Sequence, residues 1–176
     1  MNIRPASSYD AHTIRKIHLA AFPQEEAGLV AKLATDLLSE QTTPPTISLL
    51  VESNNSAIGH VAFSPVTIDN NRDFQGYILA PLAVVPDYQK HGIGSKLVEA
   101  GIEQLSDTNT HIIFVYGDPR YYSRFGFTAE TAEHFITPYR LEYPAGWQAL
   151  ILKAYASEDA SITINCVRSL QKPALW

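Results

Sequence analysis

Hydrophobic and polar positions change their spacing several times along the chain, and this pattern predicts alternating strands and helices. The predicted strands share short apolar or alternating runs bounded by turn residues: residues 2–4, 47–52, 57–63, 77–85, 111–117 and 162–167. The predicted helices share apolar residues three or four positions apart: from Ser7 or Ser8 to about 21, about 25–38, 93–105, and a short helix from Pro119. This order predicts an α/β protein of the mixed α+β kind, with a central, mostly antiparallel sheet and helices on both faces.

The most informative segment joins the strand that ends at Val85 to the helix that begins at Ile93. Pro86 closes the apolar run, and apolar residues from Ile93 onward recur at helical spacing. Between them, Gly92 and Gly94 allow positive φ and let a ligand approach the main chain. The first N–H groups of a helix lack intrahelical partners and the helix dipole makes that end positive, so this turn predicts a phosphate site.

Two familiar phosphate-binding patterns do not fit this turn. A Walker loop needs G-x-x-x-x-G-K-S/T, whereas Gly94-Ser95-Lys96 has the wrong order and lacks the upstream glycine. A dinucleotide loop needs a third glycine where this chain has Leu97. The pattern that remains is Q-x-x-G-x-G over Gln89–Gly94, which an ordinary strand–turn–helix with packing glycines also satisfies.

A second segment, residues 111–127, combines an apolar strand with a short helix. Asp118 and Pro119 suit the start of that helix, and Gly126 suits its end. Two adjacent tyrosines lie on the helix, Tyr121 and Tyr122, and we expect aromatic packing to account for one of the two. The segment therefore reads as strand, short helix, then Tyr-x-x-x-Gly-Phe.

Together, the two segments resemble the GNAT superfamily of N-acetyltransferases. The family's pyrophosphate loop starts with Gln or Arg, followed by x-x-G-x and then Gly or Ala, and its later segment carries the Tyr-x-x-x-Gly-Phe that Tyr122–Phe127 matches. The resemblance implies one GNAT domain over residues 1–153 and a C-terminal extension, 154–176, that adds a strand and a tail. The phrase Gly59-His-Val-Ala-Phe63 further resembles a subgroup of small bacterial acetyltransferases.

The resemblance implies that acetyl-CoA is the co-substrate. The implied cofactor contacts lie on the strand end, the turn and the later helix: Leu82, Ala83, Val84, Gln89, Lys90, His91, Gly92, Ile93, Gly94, Ser95 and Tyr121. Gln89 stands where many members carry Arg, which keeps donor hydrogens but removes a fixed charge. Lys90 is either a phosphate contact or a solvated lysine. Tyr122 stands where the family places the acid that protonates the departing thiolate, and Tyr121 is the alternative.

The general base is less defined by the sequence than the acid. Glu25 and Glu26 directly follow Pro23, where many family members shape the acceptor pocket. The pattern favours the alternative that both are exposed carboxylates in the first turn of a helix, where the dipole stabilises them. His60 has a suitable pKa for a base, but a histidine inside a strand is better explained as a core or edge residue.

Composition and charge exclude several other classes of protein. The net charge of −5 and the lack of a Lys/Arg run give no reason to expect nucleic-acid binding. Cys166 is the only cysteine, so we expect a reducing compartment and a small buried hydrophobe rather than a disulfide. The histidines lack metal-ligand spacing, so no metal is expected: His12, His18, His60, His91, His111 and His134. Without a secretory or membrane-spanning segment, the expected location is the cytoplasm.

The resemblance implies a bacterial, cytoplasmic N-acetyltransferase, and we expect it to work as a monomer or homodimer. Its acceptor is expected to be a primary amine on a small molecule rather than on a protein, although the residues do not identify it. One rival is a non-catalytic acyl-CoA-binding sensor or interaction module, which would need the cofactor turn but no acid or base. A second rival is an enzyme that acetylates protein N-termini or lysines.

Overall fold

The computed structural model describes residues 1–157 and 160–176. Two compact units make up the chain: one comprises Met1–Phe63 and Ala80–Gln104, the other Ser64–Leu79 and Leu105–Trp176. Each unit is interrupted in sequence, because two strands and one helix run from one unit into the other. Glu158 and Asp159, which belong to the expected extension 154–176, lie outside the described residues.

The helices and strands alternate largely as the hydrophobic pattern predicts. The helices are α1 Ala11–Ala21, α2 Gln24–Ser39, α3 Ile93–Ser106, α4 Pro119–Tyr122 and α5 Ala129–Ala132. The strands are β1 Asn2–Pro5, β2 Ile47–Ser53, β3 Ser56–Ile68, β4 Asn71–Val84, β5 Ile112–Tyr116, β6 Phe135–Ile136, β7 Trp147–Ile151 and β8 Ile162–Cys166. Short 3₁₀ turns at Ser8–Asp10 and Pro86–Tyr88 precede α1 and follow β4.

In the first unit, β2 lies between β1 and β3, and both pairings are antiparallel. The α1 helix packs on the face of β3 that carries His60, because His18 of α1 bonds that side chain. The α3 helix packs on the other face, where Leu97 lies 3.1 Å from the position of a Cβ built on Gly59. Successive strand residues face opposite sides, so the helices cover both faces of this part of the sheet.

A close helix–strand approach in the first unit depends on a glycine in α3. A Cβ built on Gly101 would lie 2.1 Å from the ring of Phe63, which is fully buried. The missing side chain therefore lets the helix axis approach the strand closely enough to cover that ring. On the opposite face, Leu50 and Ala83 pack with Ile14 and neighbouring apolar residues of α1 and α2.

In the second unit, β5 lies between β4 and β7. It is parallel to β4, with Gly76 opposite Ile112, and antiparallel to β7, with Phe114 opposite Ala149. The β8 strand pairs antiparallel with β3 and parallel with β6. Of the six strand pairings described here for the two units, four are antiparallel, which confirms the predicted mixed, mostly antiparallel sheet.

Two strand boundaries differ from those that the sequence predicts. The β3 strand continues past Phe63 to Ile68, although Pro65 weakens the strand pattern there, because its end pairs with β8. The β4 strand begins at Asn71 rather than near Tyr77, and only Asp69 and Asn70 form the turn. The extension of β3 is secured by pairing with β8, a distant segment that local polarity does not reveal. The early part of β4 is held at Gln75 by two hydrogen bonds with His111.

The C-terminal residues beyond β8 pack into the second unit rather than forming an open tail. Trp176 is 7% exposed, its indole N–H donates to the carbonyl of Leu170 at 2.9 Å, and its ring lies 6.0 Å from that of Trp147. The predicted strand of the extension is present as β8, and its end residue, Cys166, is buried. Burial raises the pKa of the Cys166 thiol to about 12, as expected for an unreactive core cysteine.

Candidate functional site

The predicted phosphate turn lies between the 3₁₀ turn after β4 and the start of α3. Lys90 and Gly92 both have left-handed backbone conformations, with φ of +63° and +77°. The N–H of Lys96 donates to the carbonyl of Gly92 at 3.1 Å, which makes Gly92 the residue that opens the helix. The N–H groups of the first turn, Ile93 to Ser95, therefore lie at the positive end of a 14-residue helix.

The surroundings of this turn fit a phosphate-bearing ligand. Apart from its chain neighbours, no described residue places a heavy atom within 4 Å of a Cβ built on Gly92, so the main chain is open to a close approach. Ile93 is buried and anchors the helix start, whereas His91 and Lys90 are exposed beside it. An open main chain, the N–H groups of a first helical turn and a neighbouring cation together suit an anion.

Gln89 holds the turn against the end of β4. Its side-chain amide donates to the carbonyl of Val84 at 2.9 Å. Gln89, which the sequence predicts as a phosphate contact, thus also makes a hydrogen bond that positions the turn. Ala83 and Val84 are buried and Leu82 is half-buried, so the strand end to which the turn is tied is firmly packed.

The short helix α4, in the second unit, begins with the predicted cap. The carboxylate of Asp118 accepts from the N–H of Arg120 at 2.9 Å, and Pro119 occupies the first turn. A 3₁₀ turn continues the helix and ends at Gly126, whose φ is +92°. Asp118, Pro119 and Gly126 therefore play the predicted structural roles.

Tyr121 and Tyr122 are both half-buried, adjacent residues at the end of this helix. A Cβ built on Gly117 would lie 2.5 Å from the ring of Tyr122, so the glycine leaves room for that ring. Tyr121 packs edge-to-face on Tyr122, with the ring centroids 5.0 Å apart, and lies under the guanidinium of Arg124 at 4.7 Å. Burial, and to a lesser degree Tyr121, raises the pKa of Tyr122, so its phenol keeps its proton at neutral pH.

Glu25 and Glu26, the two candidate bases, lie in the first turn of α2 after Pro23. Both are exposed to solvent, which is the arrangement expected for carboxylates that favour a helix N-terminus. They belong to the first unit, as do Leu82 to Ser95, whereas Tyr121 and Tyr122 belong to the second.

A buried hydrogen-bond chain in the first unit was missed by the sequence analysis. His18 Nε2 lies 2.8 Å from His60 Nδ1, and His60 Nε2 lies 2.8 Å from the hydroxyl of Ser48. Both rings are fully buried, and His18 Nδ1 has no partner among the described residues. The expectation of a core histidine at position 60 is met, but its partner on α1 lies 42 residues away in sequence.

Burial makes both histidines poor bases. It lowers the pKa of His18 to about 4, and burial together with the weaker effect of the neighbouring His18 lowers the pKa of His60 to about 3. Asp10 acts in the opposite direction on His60 but does not compensate for burial. At neutral pH, both imidazoles are therefore uncharged hydrogen-bonding groups.

The described residues, 1–157 and 160–176, include neither a cluster suited to a metal ion nor a membrane-spanning helix. Within these ranges, His, Cys, Asp and Glu side chains form no cluster of three or more suited to a metal ion. Over the same ranges, no helix combines the length and the apolar character that a membrane crossing requires.

Sequence comparison places this architecture in a family. The acetyltransferase (GNAT) family model matches residues 11–127, which is more than half of the chain. The chain therefore belongs to the GNAT family of acetyltransferases.

Individual relatives are similar over most of the chain. The Escherichia coli K12 protein named Uncharacterized N-acetyltransferase YjhQ is 37% identical over 150 residues, covering 82% of this chain and 81% of that protein. Its counterpart YhbS from the same strain is 37% identical over 110 residues, covering 62% and 63%.

Solved structures show the same fold. The crystal structure of E. coli YhbS in complex with CoA matches with a TM-score of 0.79 and 27% identity, covering 97% of this chain and 92% of that one. A GNAT acetyltransferase from Brucella melitensis in complex with acetyl-CoA matches with a TM-score of 0.64 and 30% identity, covering 92% and 93%.

Proposed function

We propose that this chain is an acetyl-CoA-dependent N-acetyltransferase whose acceptor is a primary amine on a small molecule. The observation that carries the proposal is the turn from Gln89 to Ser95, where an exposed left-handed glycine opens a helix within the family match. The two structural relatives that contain CoA or acetyl-CoA support the choice of co-substrate.

In this proposal, the first unit holds the cofactor through main-chain groups. The N–H groups of Ile93, Gly94 and Ser95 bind the pyrophosphate, and Lys90 and His91 flank it. Leu82, Ala83 and Val84 offer main-chain groups to the pantetheine arm and to the thioester oxygen. Gln89 keeps the turn at a fixed distance from that strand through its bond to Val84.

When bound, acetyl-CoA supplies a thioester whose C–S bond breaks as the amine nitrogen bonds to the acetyl carbon. Tyr122 donates its phenolic proton toward the departing sulfur. A tyrosine of ordinary pKa, about 10, already carries this proton at neutral pH, and burial raises the pKa of Tyr122 above that value. The acceptor must lose a proton before or during attack, and Glu25 and Glu26 are the proposed receivers. Their exposure gives a proton direct passage to solvent.

The first experiment is a screen of small amines with acetyl-CoA, followed by thiol release and by mass spectrometry of the product. Polyamines, aminoglycosides and aryl-alkylamines form the small-molecule arm, and lysine-containing peptides form the protein arm. Acetylation confined to the peptide arm would contradict the small-molecule proposal and leave the acetyltransferase intact.

Cofactor binding is tested separately from turnover. Acetyl-CoA at about 100 times its dissociation constant should stabilise the native state by about 2.7 kcal/mol, which a thermal melt detects, and NAD and ATP should do less. Binding with no turnover in either arm would instead favour the acyl-CoA-binding sensor. Absence of any shift with CoA or acetyl-CoA would remove the cofactor assignment.

The role of Tyr122 is tested once an acceptor is found. Tyr122→Phe should lower kcat by about 10²–10⁴-fold, the usual contribution of a general acid, with little change in acetyl-CoA affinity. The ring stays over Gly117, so the melting temperature should change little. Tyr121→Phe is the matched control, and a large loss only in that variant would move the acid to Tyr121.

A further inference from the structure

Gln148 is a buried polar side chain of β7 to which the proposed acetyl transfer assigns no role. It is 1% exposed and belongs to the second unit. Successive strand residues face opposite sides, so its side chain faces away from those of Trp147 and Ala149, which are also buried. An amide side chain destabilises a protein core unless its polar atoms find partners. The partners of Gln148 therefore indicate what this side chain holds in place.

The amide nitrogen of Gln148 bonds two main-chain carbonyl groups. Its Nε2 lies 3.2 Å from the carbonyl oxygen of Gly117 and 3.2 Å from that of Gly146. A carbonyl oxygen can only accept, so each of the two Nε2 hydrogens goes to one of the two carbonyls. The N–H of Gly117 also donates to the Gly146 carbonyl at 3.0 Å, which continues the β5–β7 pairing by one more residue pair. Gln148 thus reinforces the place where this pairing ends.

Gly117 is the point where this reinforced segment meets the ring of Tyr122. A Cβ built on Gly117 would lie 2.5 Å from Cε2 of that ring and 3.5 Å from Cζ, the atom that carries the hydroxyl. The same ring also contacts those of Tyr121, Phe125 and Phe127. Those contacts lie within one short segment of chain, whereas the contact with Gly117 relates the Tyr122 hydroxyl to the end of β5. Because a glycine has no side chain to fix its own backbone, the position of Gly117 depends on its hydrogen bonds.

These contacts connect Gln148 to the proposed acid through one intermediate residue. We propose that Gln148 is a positioning residue for acetyl transfer, which fixes Gly117 and, through Gly117, the phenol of Tyr122. The inference rests on the proposed function, in which Tyr122 protonates the departing sulfur. A general acid must lie within hydrogen-bond reach of the atom that it protonates, and a displacement of about 1 Å can lower the rate about 100-fold. Two hydrogen bonds that hold the support of the ring are therefore expected to affect kcat.

The position of the ring is tested first, by NMR and without turnover. The Gly117 hydrogen that takes the place of a Cβ points at the Tyr122 ring, so the wild-type protein should give a nuclear Overhauser effect between them. Gln148→Met removes both donors at similar side-chain length and should weaken this effect. Gln171→Met is the matched control, because it removes an amide bond of 2.9 Å to the carbonyl of Cys166 instead. No effect in the wild type, or an equal effect in Gln148→Met, would overturn the proposal.

Kinetics with an acceptor from the amine screen test the link to catalysis. Gln148→Met should lower kcat by about 10- to 100-fold with little change in acetyl-CoA affinity, whereas Gln171→Met should keep the wild-type kcat. An unchanged kcat in Gln148→Met would overturn this inference and leave the acetyltransferase intact. A wild-type protein that acetylates no amine would instead overturn the proposed function, and the catalytic role of Gln148 with it.

A double-mutant cycle separates positioning of the phenol from general support of the fold. In a Tyr122→Phe protein the hydroxyl is absent, so adding Gln148→Met should lower kcat little further. A general structural role would lower kcat by the same factor in both backgrounds. Such additive losses would contradict the proposal, even if Gln148→Met alone is slow.

Gln148→Glu is the conservative variant, and it keeps the proposal testable if Gln148→Met does not fold. A protonated carboxyl group has one hydrogen to donate and a carboxylate has none, so the introduced group can replace one of the two bonds only while it is protonated. Burial beside two carbonyl oxygens should raise its pKa well above the ordinary value of about 4.3. We therefore expect the kcat of this variant, divided by that of the wild type, to fall as the pH rises. A ratio that does not change with pH would contradict the proposal.

Discussion

The buried histidine pair should make the stability of this protein fall as the pH is lowered from 7.5 to 5. His18 and His60 are fully buried, and burial lowers the pKa of both, to about 4 and about 3. Asp10 is the charged group that acts against this effect, and it is already bound by Arg4 at 2.9 Å. In the native state, both rings therefore remain largely neutral at pH 5.

The size of the effect follows from the unfolded chain, in which a histidine has a pKa of about 6.5. At pH 5, protonated unfolded histidine exceeds the neutral form by a factor of about 30, so each ring stabilises the unfolded state by about 2 kcal/mol relative to pH 7.5. Two rings together give about 4 kcal/mol. This value depends little on the native pKa once that pKa is about 4 or lower.

The direction of the change is fixed by the lowered native pKa. Above the unfolded pKa of about 6.5, neither state binds these protons, and the native state has its full stability. Below that pH, the unfolded state binds protons that the native state does not bind. The free energy of unfolding therefore falls until the pH reaches the native pKa. The lowered pKa of Asp10 acts only at lower pH, near and below the ordinary carboxyl value of about 4.

The assay is urea unfolding at pH 7.5 and pH 5.0, followed by far-UV circular dichroism. A double variant, His18→Gln with His60→Gln, should lose about 4 kcal/mol less than the wild type between the two pH values. The packing lost in the double variant lowers its free energy of unfolding at both pH values. It therefore does not account for a smaller change between the two pH values. His12→Gln, on the exposed side of the same helix, should behave as the wild type. Equal pH dependence in the wild type and the double variant would refute the reasoning.

Glycine substitutions provide two further paired predictions. Gly101→Ala should cost about 1–3 kcal/mol in urea unfolding because its methyl group would overlap the ring of Phe63. Gly28→Ala, in an open part of α2, should instead gain about 0.5–1 kcal/mol, and a gain in both would contradict the packing argument. Gly92→Ala should raise the dissociation constant of acetyl-CoA in calorimetry, because a left-handed alanine costs about 1–2 kcal/mol. Gly94→Ala should bind acetyl-CoA nearly as the wild type does, since family members carry alanine there, and equally small effects of both would favour a simple packing turn.

Features set by neighbouring residues could be predicted from the sequence. The Asp118 cap bonds an N–H two residues away, and the left-handed Gly126 closes the turn that follows. The start of α3 after Gly92 is equally local. In such cases, the residue types and their spacing already specify which backbone groups meet.

Features set by distant pairing could not be predicted in the same way. The Gln75 N–H donates to His111 Nδ1, and the His111 N–H donates to the Gln75 carbonyl, which holds a polar stretch of β4 that locally resembles a turn. The bond between His18 and His60 likewise depends on how α1 packs on β3. Helix–strand packing brings these side chains together, and no spacing within either segment encodes it.

The side chain of Gln89 makes a contact that the sequence motif does not suggest. The motif suggests a side chain that substitutes for arginine at a phosphate, yet one hydrogen of its amide is committed to the carbonyl of Val84. An arginine there would add charge, whereas this glutamine joins the strand end to the turn without charge. Binding of the pyrophosphate would then depend mainly on the N–H groups that Gly92 exposes, with Lys90 as the adjacent cation. Affinity for the cofactor should therefore depend more on the conformation of this turn than on the charge of any one side chain.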